Sequence, residues 1–256
     1  MDFNDWKDFL PTSLVENLVG PSSDAIGKTL GGILYWTFQL PIKYGIVKKA
    51  EFDQLAQETS KKLKKIPEEN KSADKLGLVL KALEESKYQL NEEELRKMFA
   101  QLIASTLDNR KNTVISPRFA TILSQLSGKD AEFFKLLVEE NHGDLLYGYL
   151  IGRKEEYGAY QTITDKMYEQ NRTSIRSLPI SSVNVLESLG LVKVFETSYP
   201  SNNIADATYQ HIEKSLHSLN SKFHNPFQDC SNDIIEFKHC HVELTSFGAN
   251  FSRCVL

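Results

Sequence analysis

Three helical stretches follow one another between residues 91 and 137, and each one opens with residues that favour a helix start. Asn91 and Ser127 are each followed three residues later by an acidic residue, which is the spacing of a capping box. Ser116 precedes Pro117, and proline at the first helical position sacrifices no intrahelical hydrogen bond. Apolar residues recur at three- and four-residue steps, so each helix has one face to bury. The residues that this periodicity predicts to be buried are Met98, Phe99, Leu102, Phe119, Leu123 and Phe133.

We therefore predict a mainly α-helical protein whose N-terminal domain, residues 1–143, is a helical bundle. The pattern changes after Gly143, where residues 145–152 read as an extended segment and residues 162–170 and 180–190 read as short helices. Strand patterns over residues 191–196 and 234–244, and a closing helix from Thr245, complete the chain. This order predicts a small winged-helix-like α+β domain over residues 144–256, with a helical insertion at about residues 205–223.

Composition and cysteine count narrow the class of protein. A net charge of −4 argues against a protein that wraps nucleic acid through bulk positive charge. The three cysteines are an odd number without short paired spacing, so we expect free thiols and a reducing compartment. No basic and apolar secretory signal opens the chain, which favours a cytoplasmic location.

No residue pattern points to catalysis or to a cofactor. Histidine and cysteine cluster late in the chain, but their spacing matches no closed zinc pattern and no acid is placed to orient a cysteine–histidine pair. We therefore expect no enzyme activity, no metal and no cofactor. The residues of this cluster are His224, Cys230, His239, Cys240 and His241.

A winged helix raises the alternative of a DNA-binding regulator. The polar side of the helix after Ser181 carries no lysine or arginine to reach a base edge or a phosphate. DNA contact would depend on Arg172 and Arg176, which precede this helix in the sequence. Nucleic acid is therefore an unexpected partner, and a domain that contacts protein is the simpler interpretation.

The N-terminal region offers a different surface. Residues 29–42 contain no charge, but they are shorter than the 18 or so apolar residues of a membrane-spanning helix, and Pro41 should end the segment. Residues 41–66 hold seven lysines against three acidic residues, a local charge of +4. Such a segment can contact an anionic membrane or an acidic protein, although lysine runs more often form a solvated helix face. The candidate contact residues are Lys61, Lys62, Lys64 and Lys65.

Several stretches of the chain resemble the Abi-alpha family of bacterial proteins. They are IPEEN at residues 66–70, NEEELRKMFAQLIAST at 91–106, SPRFATILSQLSGKDAEFF at 116–134, LESLGLVKV at 186–194 and ELTSFGANF at 243–251. The family pattern has histidine where this chain has Ser116, and Ser-Pro where it has Ser127 and Gly128. The resemblance covers most of the chain after about Ala25, and its shared residues are mostly caps and core.

The resemblance implies bacterial phage resistance of the abortive-infection kind, in which an infected cell stops growing or dies. It carries no catalytic residues. The leading hypothesis is therefore a non-enzymatic defence protein that acts by binding a phage or host protein, with a homo-oligomer left open. The alternatives are a winged-helix DNA-binding regulator and a membrane-acting effector that uses the hydrophobic and lysine-rich segments from the inner face of the membrane.

Overall fold

The protein is mainly helical and carries one small antiparallel sheet. The computed structural model describes Thr12 and residues 24–153, 160–171, 174–220 and 234–256. The chain forms two compact units. The first, here called the helical unit, holds the described residues up to Glu132 together with Ala249–Leu256. The second, the sheet unit, is Phe133–Gly248.

Five helices lie within the described part of the helical unit. They are α1 (Asp24–Lys43), α2 (Lys49–Leu63), α3 (Leu76–Ser86), α4 (Glu93–Thr106) and α5 (Arg118–Ser124), and short 3-10 turns cover Glu68–Asn70 and Asn109–Lys111. Helix α4 is the centre of the unit, with α2, α3 and α5 packed on it. All six residues predicted to be buried are at most 5% exposed, which confirms the helical faces.

One predicted helix cap is confirmed and another is wrong. Ser127 and Asp130 form a reciprocal cap before α6 (Gly128–Glu139), with the Ser127 N–H donating to the carboxylate at 2.9 Å and the Asp130 N–H donating to the Ser127 hydroxyl at 3.3 Å. The predicted cap at Asn91 is wrong, because α4 begins at Glu93 and its N-cap residue is Glu92. Pro41 does not end α1, which continues to Lys43.

The sheet unit is organised around two long paired strands. Strand β1 (Asp144–Arg153) pairs antiparallel with β6 (Ile234–Leu244) along its whole length. The shorter strands are β2 (Tyr160–Thr162), β3 (Met167–Gln170), β4 (Ser174–Ser177) and β5 (Val192–Phe195). The strand order is β4-β3-β1-β6-β5, and β2 also pairs with β1.

Helix α8 (Asn203–Asn220) packs on one face of this sheet. Its buried residues Tyr209 and Ile212 form a core with Leu150 of β1 and Phe237 of β6. The Tyr209 hydroxyl donates to the Cys240 carbonyl at 2.9 Å, which satisfies the polar end of a buried ring. The predicted helical insertion thus corresponds to α8, although its last predicted residues, 221–223, lie outside the described residues.

The C-terminal elements follow the predicted order. Helix α7 (Ile180–Ser188) is followed by Gly190, whose φ of +75° suits glycine and terminates the helix. The Leu191 N–H bonds the Leu186 carbonyl and the Gly190 N–H bonds that of Glu187, which is a Schellman motif. Strands β5 and β6 then pair, and Thr245 caps α9 (Ser246–Val255) by accepting from the Gly248 N–H at 2.9 Å.

The helix predicted over residues 162–170 is wrong. Thr162 ends β2, Met167–Gln170 form β3 and residues 163–166 connect the two strands. Tyr168 of β3 pairs with Tyr147 of β1. The Ile163 N–H bonds the Leu150 carbonyl at 2.8 Å, and the Thr164 hydroxyl accepts from the Leu150 N–H at 2.9 Å. Pairing with a strand distant in sequence therefore overrides the local pattern in this segment.

Candidate functional site

The four candidate lysines lie at the C-terminal end of α2, but they do not form one surface. Lys61, Lys64 and Lys65 are exposed, whereas Lys62 is half-buried. The Lys62 Nζ atom donates to the Gln101 side-chain oxygen of α4 at 2.7 Å. Lys62 and Lys65 line a cavity that Lys61 and Lys64 do not line. The structure thus divides the predicted set into an inner pair, Lys62 and Lys65, and an outer pair, Lys61 and Lys64.

This cavity, here called the basic cavity, lies between the end of α2, the last turns of α4 and the 3-10 turn that follows α4. It has a volume of about 150 Å³. A single water needs only roughly 10–15 Å³ of such space, so the cavity has room for a small polyatomic group and its hydration. Its lining residues are Lys62, Lys65, Ile66, Gln101, Ala104, Ser105, Asp108, Arg110 and Lys111.

Hydrogen bonds across the cavity wall position its polar groups. The Lys111 ammonium donates to the Ser105 hydroxyl at 2.9 Å, and the Gln101 amide donates to the same oxygen at 3.2 Å. Lys111 also donates to the Arg253 carbonyl at 2.7 Å. Because the Ser105 oxygen accepts both of these bonds, its own proton remains to be donated, and no described residue accepts it.

Asp108 carries the one carboxylate in the lining, and this carboxylate is bound by the Arg110 side chain. Two guanidinium nitrogens of Arg110 reach the two carboxylate oxygens at 2.8 and 2.6 Å, and the Arg110 backbone N–H adds a third bond at 3.1 Å. These hydrogen bonds, above all the side-chain bonds from Arg110, lower the pKa of Asp108 below its ordinary value, so it is ionised at neutral pH. Its charge is thus matched within the pair and does not neutralise the lysines.

The lining carries four basic side chains and one carboxylate, which leaves three positive charges in excess. Glu69 also lies close enough to Arg110 to help raise the pKa of that guanidinium. A concave site with this surplus attracts anions, in a chain whose total charge is −4. The sequence-based prediction missed Arg110 and Lys111, although two consecutive basic residues after a helix were a visible signal.

A larger concavity of about 410 Å³ lies in the sheet unit, and its lining is acidic. Two of its carboxylates are bonded to histidines: Asp144 to His241 at 2.9 Å, and Glu169 to His211 at 2.8 Å. Glu140 also lines it. Within the described residues, no group of three histidine, cysteine or acidic side chains is arranged to hold a metal ion. His224 and Cys230 of the predicted cluster lie outside the described residues.

The described cysteines are poorly suited to nucleophilic chemistry. Cys240 and Cys254 are free and completely buried. Burial raises the pKa of Cys240 to about 11 and also raises the pKa of Cys254. A thiol with a raised pKa holds little thiolate at neutral pH, and thiolate is the reactive form.

Helix α1 and the residue that follows it, Tyr44, carry an exposed apolar stripe. Trp36, Leu40 and Tyr44 follow one another at four-residue steps and are 62%, 54% and 70% exposed. The opposite side of the helix, with Leu34 and Phe38, is buried. The prediction of a buried helix is therefore correct for one face only. None of the described helices has the length and apolarity that crossing a membrane requires.

Comparison with known proteins identifies the family of this chain. A sequence profile described as abortive infection alpha matches residues 47–255, which include every residue of the basic cavity. Comparisons with curated proteins and with solved structures found no match. Because the profile spans most of the chain, the protein belongs to the abortive infection alpha family.

Proposed function

We propose that the chain is a phage-defence protein of the abortive-infection type and that it acts by binding a phage or host partner that carries negative charge. The family supports the defence role. The single observation that supports the binding role is the surplus of three positive charges around the basic cavity. The protein is proposed to work without catalysis, and the buried, protonated thiols of Cys240 and Cys254 are in keeping with that.

Phage challenge of bacteria that express the protein tests this proposal. We expect cultures to survive at low phage multiplicity and to stop growing at high multiplicity with a reduced phage yield, because infected cells are lost before phage is released. Replacing Lys61, Lys62, Lys64 and Lys65 by glutamine should abolish protection while helix propensity changes little. If the folded variant protects as the parent does, the lysines serve only as a solvated face.

We propose that the sheet unit is winged-helix-like and that it contacts a protein partner. Within the sheet unit, helix α7 and strands β5 and β6 follow the helix–strand–strand part of the winged-helix order. The exposed positions of α7 include Ser181, Asn184 and Glu187, which offer hydrogen bonds but no positive charge for DNA phosphates. Duplex DNA at physiological salt should therefore bind weakly and without sequence preference. Tight binding to one DNA site would instead support a transcriptional regulator.

The exposed stripe on α1 supports a second candidate function, contact with the inner face of the membrane. Trp36 and Tyr44 are residue types that favour the lipid headgroup region, and Lys43 lies beside Tyr44 at the helix end. Flotation with anionic vesicles tests this candidate. A Trp36→Ser/Tyr44→Ser variant should lose flotation, with Tyr88→Ser as the matched control because Tyr88 is also exposed but lies outside the stripe.

A further inference from the structure

We infer that the basic cavity is a binding site for a phosphate monoester group. This inference rests on the proposed function, because it names the anionic group through which a partner would be recognised. The cavity is formed within the helical unit by Lys62 and Lys65 from the end of α2, Ser105 from α4, and Arg110 and Lys111 from the turn after α4.

The charge and the shape of the lining favour a tetrahedral dianion. A phosphate monoester carries a charge of roughly −1.5 to −2 at neutral pH and has three terminal oxygens. Lysine ammonium groups bind such oxygens as point charges and do not require one fixed plane. Arg110 is already held in two-point contact with Asp108, which matches its charge, so the lysines provide both the surplus charge and the direct donors.

Two side chains are poised to contact the ligand. Lys65 is exposed, and its ammonium group makes no hydrogen bond or ion pair with any residue in the described part of the chain. Ser105 is 2% exposed and lines the cavity, and its oxygen already accepts from Lys111 and Gln101. Its O–H group therefore has a donor position to offer a phosphate oxygen. A buried hydroxyl and a solvated ammonium group together would bind the ligand from two sides.

The outer lysines supply a matched control. Lys61 and Lys64 belong to the same helix end and carry the same charge, but they do not line the cavity. If attraction by a generally basic segment were sufficient, Lys61→Gln/Lys64→Gln and Lys62→Gln/Lys65→Gln would weaken binding equally. If the cavity is a specific binding site, only the Lys62→Gln/Lys65→Gln variant should weaken phosphate binding.

The experiment is an NMR titration of the full chain with inorganic phosphate, compared with sodium chloride at the same ionic strength. We expect saturable shifts of the backbone amides of residues 104–111 with phosphate and not with chloride. Lys62→Gln/Lys65→Gln should weaken phosphate binding at least about tenfold, and Lys61→Gln/Lys64→Gln should stay within about twofold. Lys65→Gln alone, at an exposed position, should also weaken binding and does not endanger folding. Shifts identical in phosphate and chloride, or equal binding by the inner-pair variant, would overturn the inference.

Vesicles distinguish the source of the phosphate group. Phosphatidylcholine vesicles with phosphatidic acid present a phosphate monoester, whereas those with phosphatidylglycerol present a diester. The phosphatidylglycerol fraction is raised until the surface charge of the two kinds of vesicle is equal. Preference for phosphatidic acid that depends on Lys62 and Lys65 assigns the site to a lipid headgroup. Binding of inorganic phosphate without such a preference assigns it to a soluble or protein-borne phosphate.

The phage challenge separates this inference from the proposed function. If the inner-pair variant loses phosphate binding but still protects cells, the site is real and the defence role of the lysines is wrong. If the parent binds no phosphate yet the four-lysine variant loses protection, the defence role stands and the inference about phosphate is wrong.

Discussion

The Lys111 ammonium group lies 2.7 Å from the Arg253 carbonyl oxygen, although 142 residues separate the two in sequence. Arg253 is in the last turn of α9, where carbonyl groups have no partner within the helix. A positive charge at this end also complements the helix dipole. One side chain therefore both lines the basic cavity and fastens the final helix to the turn after α4.

Replacing Lys111 by methionine should destabilise the protein by about 1 kcal/mol, because it removes a charged donor from a helix-terminal carbonyl and from Ser105. For a chain of this length that corresponds to a loss of about 2–4 °C in melting temperature. Thermal unfolding followed by circular dichroism measures it. Lys64→Met is the control, since Lys64 is an exposed lysine outside the cavity. Equal melting temperatures for both variants would contradict the fastening role.

Phe119→Ala should cost about 3–5 kcal/mol, because the ring is 1% exposed and its removal leaves a cavity. The ring meets Phe251 of α9 edge to face, with centroids 5.3 Å apart. Urea unfolding gives the free energy directly. The comparison is Tyr88→Ala, at a position that is 76% exposed, where a change within about 0.5 kcal/mol is expected. A small loss at Phe119 would show that the helical core differs from the one described.

The stability of the sheet unit should decrease as the pH falls below 6.5. Burial lowers the pKa of His239 from 6.5, and its ring stacks on Tyr199 at 4.5 Å and meets the edges of Tyr209 and Phe237. The unfolded chain binds the proton first, so acid favours unfolding until the folded-state pKa is passed. The stabilising contribution is therefore fully present above pH 6.5.

Urea unfolding is measured at about pH 7.5 and about pH 5.5, above and below the ordinary histidine pKa at which the unfolded chain takes up its proton. In His239→Phe, the part of the pH dependence due to His239 should disappear. His217→Phe is the control, because His217 is an exposed histidine of α8. Parallel pH profiles for the parent and the His239 variant would exclude this histidine as the titrating group.

Cys240 and Cys254 should resist thiol reagents in the folded protein, since both are buried and burial raises the pKa of each thiol. A Cys230→Ser background leaves only these two cysteines. Their reaction with a chromogenic disulfide should be at least about 100-fold slower in buffer than in denaturant. Modification of either thiol at the denatured rate would place it at the surface.

Local signals in the sequence predicted part of the fold well. Ser127 and Asp130 hydrogen-bond to each other, and Gly190 adopts the left-handed backbone conformation that terminates α7. Both features depend only on residues close in sequence. The failure at residues 162–170 has the opposite cause. Ile163 and Met167 are four residues apart, as in a helix, but both pack against the core under α8 from a sheet whose partner strand is distant in sequence.

Only part of the candidate site could be predicted, because tertiary packing decides which basic residues line the cavity. A count of lysines found the charge at the end of α2, but it could not separate Lys62 and Lys65 from Lys61 and Lys64. That separation depends on which side of the helix end faces α4. Arg110 and Lys111 join the cavity through tertiary packing, which no local pattern reports.

The assignment of Ala249–Leu256 to the helical unit has a consequence for biosynthesis. Phe251, Cys254 and Val255 are at most 1% exposed, yet the ribosome makes them after the whole of Phe133–Gly248. During synthesis, Phe119 therefore lacks the edge-to-face contact from Phe251 until the whole of Phe133–Gly248 has been translated.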